Sequence, residues 1–515
     1  YIEVTNIDIV PSKGHLLRSL DPATVPYTFA DVYQQDAFYP GAIINIRKPY
    51  ILRDYRGAVV ELNAFQYNPV ARVLRIYTDI SIEVKKIASG GENTLGRSRS
   101  LTRIDPQFKK IYQRRFINQS ALDYPALEES GDLLIICYDD FMGEMTEFID
   151  WKRQRGIPTE MVPASEAGNT PEQIKSYIRN YYHSHNLCYV LFVGDAAQIP
   201  TFSSQDDSDP IYSQLSGTDS YPDIFIGRFS AENIAQVVTQ VQRTIDYERY
   251  PDPSGSWYSE GFVIGSTEGP FWEHYGEFDY THMTNIAYKL LDHTYTQVDS
   301  AYDPWCTMEM AIDFINEGKS ILFYAGHGGP EGWGTTGIST TEVNRFINSN
   351  MLPHVNSVAC NTGQFVEYTC LGEAWLRATH ESTGLPTGGI GFYGSVEGMT
   401  GAPPLDMQDE AIDVLVADSM LTLGGICFSG SMLMMDNYPY PDVGPWEFAN
   451  LTIFGDPSVS LRGGVPYPPL VSHNPEILVG VSSFNVTVTS LSGAVKGAMA
   501  VSYTHLRAHE TSLHL

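Results

Sequence analysis

From about residue 130 to about residue 460 the chain repeats one unit, a short and almost wholly apolar run followed by an amphipathic helical stretch. DLLIICY leads into MTEFIDWKRQRG, and CYVLFVGD, FVIGST, SILFYAGHG, HVNSVACN and GIGFYGS follow in the same manner. A strand without polar alternation has both faces buried, which requires a mainly parallel sheet covered by helices. A long helical pattern from Ala231 to Arg249 and the stretch around Trp257 divide this region into two α/β subdomains. The flanks read differently. Residues 1 to about 90 alternate apolar and polar positions in AIINIRKPYI, AVVELNAF and VARVLRIYTDISIEV, the pattern of a β-rich domain. SGGENTLGRSRSLTR reads as an exposed basic linker, KKIYQRR is a second basic run, and EILVGVSSFNVTVTSL returns to alternating strands.

Charge excludes some partners. A formal net charge of −29 repels nucleic acid and anionic membrane, whereas clustered carboxylates suit calcium, a hard cation that prefers oxygen. The six cysteines are scattered without a C-x-x-C pair, so neither a zinc ribbon nor a disulfide framework is expected. No apolar run reaches the length of a membrane span. The chain opens on Tyr1 within a strand-like run and carries no visible signal peptide, which reads as a piece whose true start lies upstream. Its last fifteen residues, VSYTHLRAHETSLHL, resemble a translated sequencing adaptor, so His505 and His509 are set aside as metal ligands.

Two apolar strands end in reactive residues, ILFYAGHGG in His327 and HVNSVACNTG in Cys360. Parallel sheets present ligands at their carboxyl edge, and a thiol beside an imidazole is the minimum equipment for acyl transfer. The glycines around His327 let backbone approach a substrate, and the amides of Gly328 and Cys360 are candidate oxyanion donors. A buried cysteine and a satisfied loop histidine remain the bland alternative.

Five collinear segments, YAGHGGPEGWGTT, SVACNTGQF, TDSYPDIFIGRFS, TQVQRTIDYERY and IFGDPS, resemble the gingipain family of cysteine peptidases, within the caspase-like clan. The resemblance runs from the first strands to about residue 495 and is nearest the arginine-specific members. It implies a β-sandwich prodomain with its linker (1–123), a two-part caspase-like catalytic domain (124–257 and 258–464) and the start of an immunoglobulin-like domain (465–500). Cys360 then resembles the nucleophile, His327 its acid/base partner and Glu268 the carboxylate that orients the histidine. Asp279 matches the acid at the base of the primary specificity pocket, where a bidentate fork favours Arg over Lys. Val358 lines that pocket. Two positions depart from the pattern: Ala325 replaces a Thr, and Gly401 stands in place of a Trp and is expected to leave one side open. Asp195, Ser216, Asp219, Tyr221 and Asp223 match a structural calcium site, and Glu277 a second one.

These features predict a secreted or cell-surface endopeptidase acting on proteins or peptides after Arg, with Lys tolerated, exported by type IX secretion from a Bacteroidetes-like bacterium. It is made as a zymogen inhibited by its own prodomain, with Arg97, Arg99, Arg103, Arg114 or Arg115 as the residue that is cut or plugs the pocket. A sortase-like transpeptidase and a non-catalytic binding protein on the same fold are the alternatives.

Overall fold

A computed structural model describes residues 1–96, 104–119, 131–202, 208–366, 368–416, 422–439, 442–476, 483–490 and 493–494. The strands of the central sheet are β1 (Asp132–Cys137), β2 (Thr159–Pro163), β3 (Leu187–Val193), β4 (Phe225–Phe229), β5 (Glu260–Gly265), β6 (Gln297–Tyr302), β7 (Ile321–Ala325), β8 (His354–Val358), β9 (Gly391–Ser395) and β10 (Leu451–Phe454). They form a single ten-stranded sheet in the order β6-β5-β7-β8-β9-β10-β4-β3-β1-β2. All neighbours are parallel except β9 and β10. The sheet is therefore two parallel halves of opposite direction joined at that antiparallel seam, and β10, late in the chain, adds to the half built from β1 to β4. The unalternated strands are buried as expected: every residue of β3, β4, β7, β8 and β9 is inaccessible.

From β5 the chain goes outward to β6 and then returns across β5 to β7. The topology thus reverses between β5 and β7, and α/β sheets bind ligands at such a reversal, beyond the carboxyl ends of the strands. The helix expected from Ala231 begins instead at Ile234, because Asn233 accepts a hydrogen bond from the amide of Gln236 and caps it.

Ahead of the catalytic sheet the chain forms small antiparallel units. Ile2–Thr5, Val73–Ile76 and Phe65–Asn68 make a three-stranded sheet, and Ile44–Ile46 pairs with Val60–Leu62. The hairpin of Tyr50–Leu52 with Tyr55–Gly57 buries its first strand completely, and Tyr50 stacks on Tyr221 with ring centroids 4.0 Å apart. The helix Pro106–Arg115 starts at a proline behind Asp105, whose carboxylate accepts from the amides of Gln107 and Phe108. It buries Phe108, Ile111 and Tyr112, with Phe108 stacked 4.7 Å from Phe225. At the other end, Leu470–His473, Val486–Ser490 and Gly493–Ala494 pair as an antiparallel sheet. The adaptor-like residues 501–515 lie outside the described residues.

Candidate active site

Three adjacent strands deliver the expected residues. Glu268 follows β5, His327 follows β7 and Cys360 follows β8. Main-chain bonds extend the ladder past the strand ends, from Ser266 N to Ala325 O (2.9 Å) and from Gly326 N to Val358 O (3.1 Å), so these turns have little freedom to drift. Beyond Cys360, Asn361 takes a left-handed conformation with φ 60°, which asparagine tolerates better than most residues, and its side-chain amide donates to Val396 O. A Cβ on Gly328 would lie 2.8 Å from Ala359 Cβ and 3.1 Å from Cys360 O, so only glycine lets the histidine turn approach the cysteine turn this closely.

His327 Nε2 meets Glu268 Oε1 at 2.6 Å. A carboxylate in that position fixes the imidazole tautomer and stabilises the imidazolium form. Cys360 Sγ accepts from the amide of Met399 at 3.2 Å. The structure thus gives the imidazole to Glu268 and the sulfur to the Met399 amide. Burial pushes the Cys360 thiol up; the Met399 amide and the Arg18 guanidinium pull it down, and Glu447 and Glu268 push it up again. The net rise leaves the thiol protonated near neutral pH.

Asp279 opens the helix Asp279–Leu291, where the helix dipole favours a negative charge. Its amide donates to Glu268 O (3.0 Å), and its Oδ2 accepts from Ser266 Oγ (2.7 Å), so the expected pocket acid and the expected orienting acid share one backbone framework. A Cβ on Gly265 would lie 2.6 Å from Tyr280 Cα, which is how the start of this helix reaches the strand end. Ala325 and Val358, which end β7 and β8, are both fully buried. The hydroxyl that Ala325 lacks is supplied to the carboxylate by Ser266.

The expected pocket acid is paired with a residue that sequence reasoning missed. Arg18 Nη1 lies 2.8 Å from Asp279 Oδ2, with both side chains inaccessible, and 3.4 Å from Glu268 Oε2. Its Nη2 donates to Gly401 O at 3.2 Å. The ion pair is single-point rather than the bidentate fork expected for this acid. Burial alone would lower the Arg18 pKa, but Asp279 and then Glu268 outweigh it, and the net shift is upward. Arg18 therefore stays charged. The open side expected at Gly401 is closed: the Phe271 ring occupies that space, 2.4 Å from where a Cβ on Gly401 would sit, and lies 5.1 Å from the Arg18 guanidinium. Such a cation–π contact is worth about 0.5–2 kcal/mol.

The main chain of residues 16–18 is held against residues 399–401 by an isolated antiparallel bridge. Arg18 N donates to Met399 O (2.9 Å), Gly401 N donates to Leu16 O (3.1 Å), and Leu17 bridges antiparallel to Thr400. Extended peptides bind sheet edges in this way.

Of the arginines expected to be cut or to plug the pocket, only Arg114 and Arg115 lie among the described residues. Arg97, Arg99 and Arg103 lie outside the described residues. Arg114 grips both oxygens of Glu410 at 2.9 and 2.7 Å, and Arg115 bonds Met432 O and Asp436, so this basic run fastens its helix to Pro403–Val416 and Leu423–Asn437.

The expected calcium ligands each meet partners within the chain. Asp195 faces Arg377 at 3.3 Å. Asp219 Oδ2 accepts from Ile51 N (2.9 Å) and Asn93 Nδ2 (3.1 Å), while its Oδ1 takes Tyr221 N (3.2 Å). Asp223 accepts from the amides of Arg53, Leu215 and Ser216, and burial pushes it up to about 7 against the pull of those donors. The Tyr221 hydroxyl bonds Asp436. Two of these N–H donors, from Ile51 and Arg53, come from the Tyr50–Gly57 hairpin region. Glu277 lies elsewhere, against two histidines.

With this geometry in place, comparison with known proteins is informative. The sequence profile of Peptidase family C25 matches residues 126–462, and that of Propeptide_C25 matches residues 1–109. Gingipain R1 of Porphyromonas gingivalis is 36% identical over 499 residues, covering 95% of this chain and 50% of the relative, so the chain spans half of that protein's length. The crystal structure of the Arg specific cysteine proteinase gingipain R (RGPB) superposes with a TM-score of 0.67 at 34% identity, covering 70% of this chain and 85% of the other. The complex of Porphyromonas gingivalis RgpB pro- and mature domains gives the same TM-score and identity, with 70% and 86% covered.

Proposed function

This chain belongs to peptidase family C25, with the family's propeptide ahead of the peptidase region, and on that premise we propose that it is the latent form of a cysteine endopeptidase that cleaves after arginine. The observation that carries the reading is Arg18, seated on Asp279 with its main chain paired to Met399 and Gly401 beside Cys360. A substrate arginine entering from the same direction makes the same contacts, and Cys360 then lies at the following peptide bond.

In the active form the Cys360 thiol passes its proton to His327 and the thiolate adds to the carbonyl carbon after arginine. Glu268 holds the imidazole and stabilises its charged form, and the amides of Gly328 and Cys360 receive the developing oxyanion. His327 then protonates the leaving amine, and water releases the acyl group from sulfur. In the latent form Arg18 occupies the pocket and Met399 N–H engages the sulfur. The prodomain is thereby the enzyme's own inhibitor, and protein or peptide chains are its substrates. Export to the cell surface or medium, by the type IX route, belongs to the same reading.

Arginine specificity rests on two nitrogens at once, Nη1 on Asp279 and Nη2 on Gly401 O. Lysine has one nitrogen and no fork. Losing one charge-assisted hydrogen bond costs about 1.5–3 kcal/mol, so the processed chain should cleave Arg peptides roughly tenfold to a hundredfold faster than Lys peptides in kcat/KM. Asn and Asp peptides should not turn over. The test is a panel of peptides differing only at that residue. Preference for Asn or Asp would overturn the assignment of Asp279. The transpeptidase alternative gains nothing from the structure, because it has no evident use for a buried acid that receives arginine.

A further inference from the structure

The segment after β9 presses on the cysteine turn and is fastened from behind by an acid that has no part in the chemistry of Cys360 and His327. Val396 N donates to Asn450 O (2.8 Å), Glu397 O accepts from Asn361 N (2.9 Å), and Met399 N reaches Cys360 Sγ (3.2 Å). Thr400 comes next. Its N–H and its hydroxyl both donate to Glu447 Oε1, each at 2.6 Å. Glu447 stands on the short helix Val443–Ala449 and is wholly inaccessible.

Strand geometry explains the position of this acid. Along an extended segment the polar main-chain groups of alternate residues point to opposite edges. Met399 O accepts from Arg18 N (2.9 Å) and Gly401 N donates to Leu16 O (3.1 Å), so both face the prodomain. The N–H of Thr400 between them faces the other way, into the protein, where it needs a buried acceptor. Glu447 supplies one. Two donors of one residue on one oxygen fix that residue's main chain and side chain together. Among the described residues the second oxygen of Glu447, Oε2, meets no hydrogen-bond partner, and an unpaired buried oxygen is destabilising. Burial pushes the carboxyl up to about 7, while the Thr400 donors and then Arg18 pull it down. When the prodomain leaves, the bonds to Arg18 and Leu16 go with it. The pair of Thr400 with Glu447 remains, and it keeps Met399 O and Gly401 N aimed outward.

We propose that Glu447 is a positioning residue for the substrate: acting through Thr400, it holds the Met399–Gly401 edge ready for the peptide main chain that precedes the cut. The proposal rests on the peptidase reading above. A peptide in the place of residues 16–18 bonds this edge at its arginine N–H and again at the carbonyl two residues earlier. The side-chain hydrogen bonds of Glu447 run to Thr400, so it orients and does not react. An edge already set before the peptide arrives spares the complex the cost of ordering it.

The experiment compares two substrates with the same leaving group, a tripeptide ending in Arg and an acyl-arginine that lacks the two preceding residues. Only the first offers a carbonyl to Gly401 N. In the processed chain, Glu447→Ala should cut the kcat/KM advantage of the tripeptide about threefold to tenfold, the scale of one net backbone hydrogen bond, and mainly through KM. Glu447→Gln keeps an acceptor oxygen for both Thr400 donors and should restore most of that advantage. General damage to the fold would slow both substrates alike. An equal fall for both, an unchanged ratio, or glutamine as poor as alanine overturns the proposal. If the alanine chain does not fold, Glu447→Asp, whose carboxyl is one carbon shorter, takes its place with the same expectation. Should the unaltered processed chain cleave neither substrate, the peptidase reading fails on that result, and amide hydrogen exchange of Gly401 in the full chain decides this one. Faster exchange in Glu447→Ala than in the unaltered chain or in Glu447→Gln supports the positioning role, and equal exchange overturns it.

Discussion

In the full chain with Arg18→Ala, turnover of Arg peptides before any processing is expected to rise about 10²-fold to 10³-fold over the unaltered chain. The arginine and Asp279 are both inaccessible and 2.8 Å apart. Removing one partner of such a pair costs about 3–5 kcal/mol, because the other charge stays buried without compensation. The two main-chain bonds of residues 16–18 to Met399 and Gly401 remain available, but net backbone bonds of about 0.5–1.5 kcal/mol each do not hold the strand against that loss. The rest of the prodomain keeps its own anchors, Arg53 on Asp223 and Arg114 on Glu410. Residues 16–18 should therefore lift while the domain stays docked. Arg18→Lys should retain part of the latency, since the charge survives and the second nitrogen does not. The check is initial-rate hydrolysis by freshly purified chain. An unchanged rate would show that latency lies elsewhere in the prodomain.

Cys360→Ala should lower turnover of Arg peptides by at least about 10⁴-fold, the scale seen when the nucleophile of a cooperating set is removed. Peptide binding should survive, because the pocket is built by Asp279, Ser266, Phe271 and Gly401 rather than by the sulfur. The loss therefore belongs in kcat, with affinity for an Arg peptide nearly unchanged in a binding titration. A kcat that falls less than tenfold would remove Cys360 from the chemistry. An affinity that collapses with it would mean that the cysteine shapes the pocket.

The sheet was legible because strands buried on both faces cannot alternate, and β3 and β7 carry no charged residue and are buried along their whole length. Cys360 and His327 were legible as the residues that end two such strands. That the halves form one continuous sheet was not, since the antiparallel seam between β9 and β10 depends on a return from residue 451 that no local pattern encodes. Glu268 and Asp279 came from the family resemblance, and the structure joins them through Asp279 N and Glu268 O. Arg18 escaped notice because LLRSL has no periodicity and its partner is 261 positions away, whereas the basic linker drew attention by composition alone. Likewise nothing near Gly401 announces Phe271, and nothing near Thr400 announces Glu447, because both pairings are made only by the folded chain. The amide contacts that Asp219 and Asp223 make with Ile51 and Arg53 were equally invisible, because those partners are about 170 positions away.

The central claim, that Cys360 attacks the bond after an arginine held by Asp279, is tested most directly by covalent trapping. The processed chain is treated with an Arg-terminated peptidyl chloromethyl ketone, and the adduct is located by peptide mass mapping. The predicted result is one adduct, on Cys360, that disappears in Asp279→Ala and is not formed by the Asp-terminated reagent. An adduct on Cys306 or another cysteine, or equal labelling of Cys360 by both reagents, would contradict it.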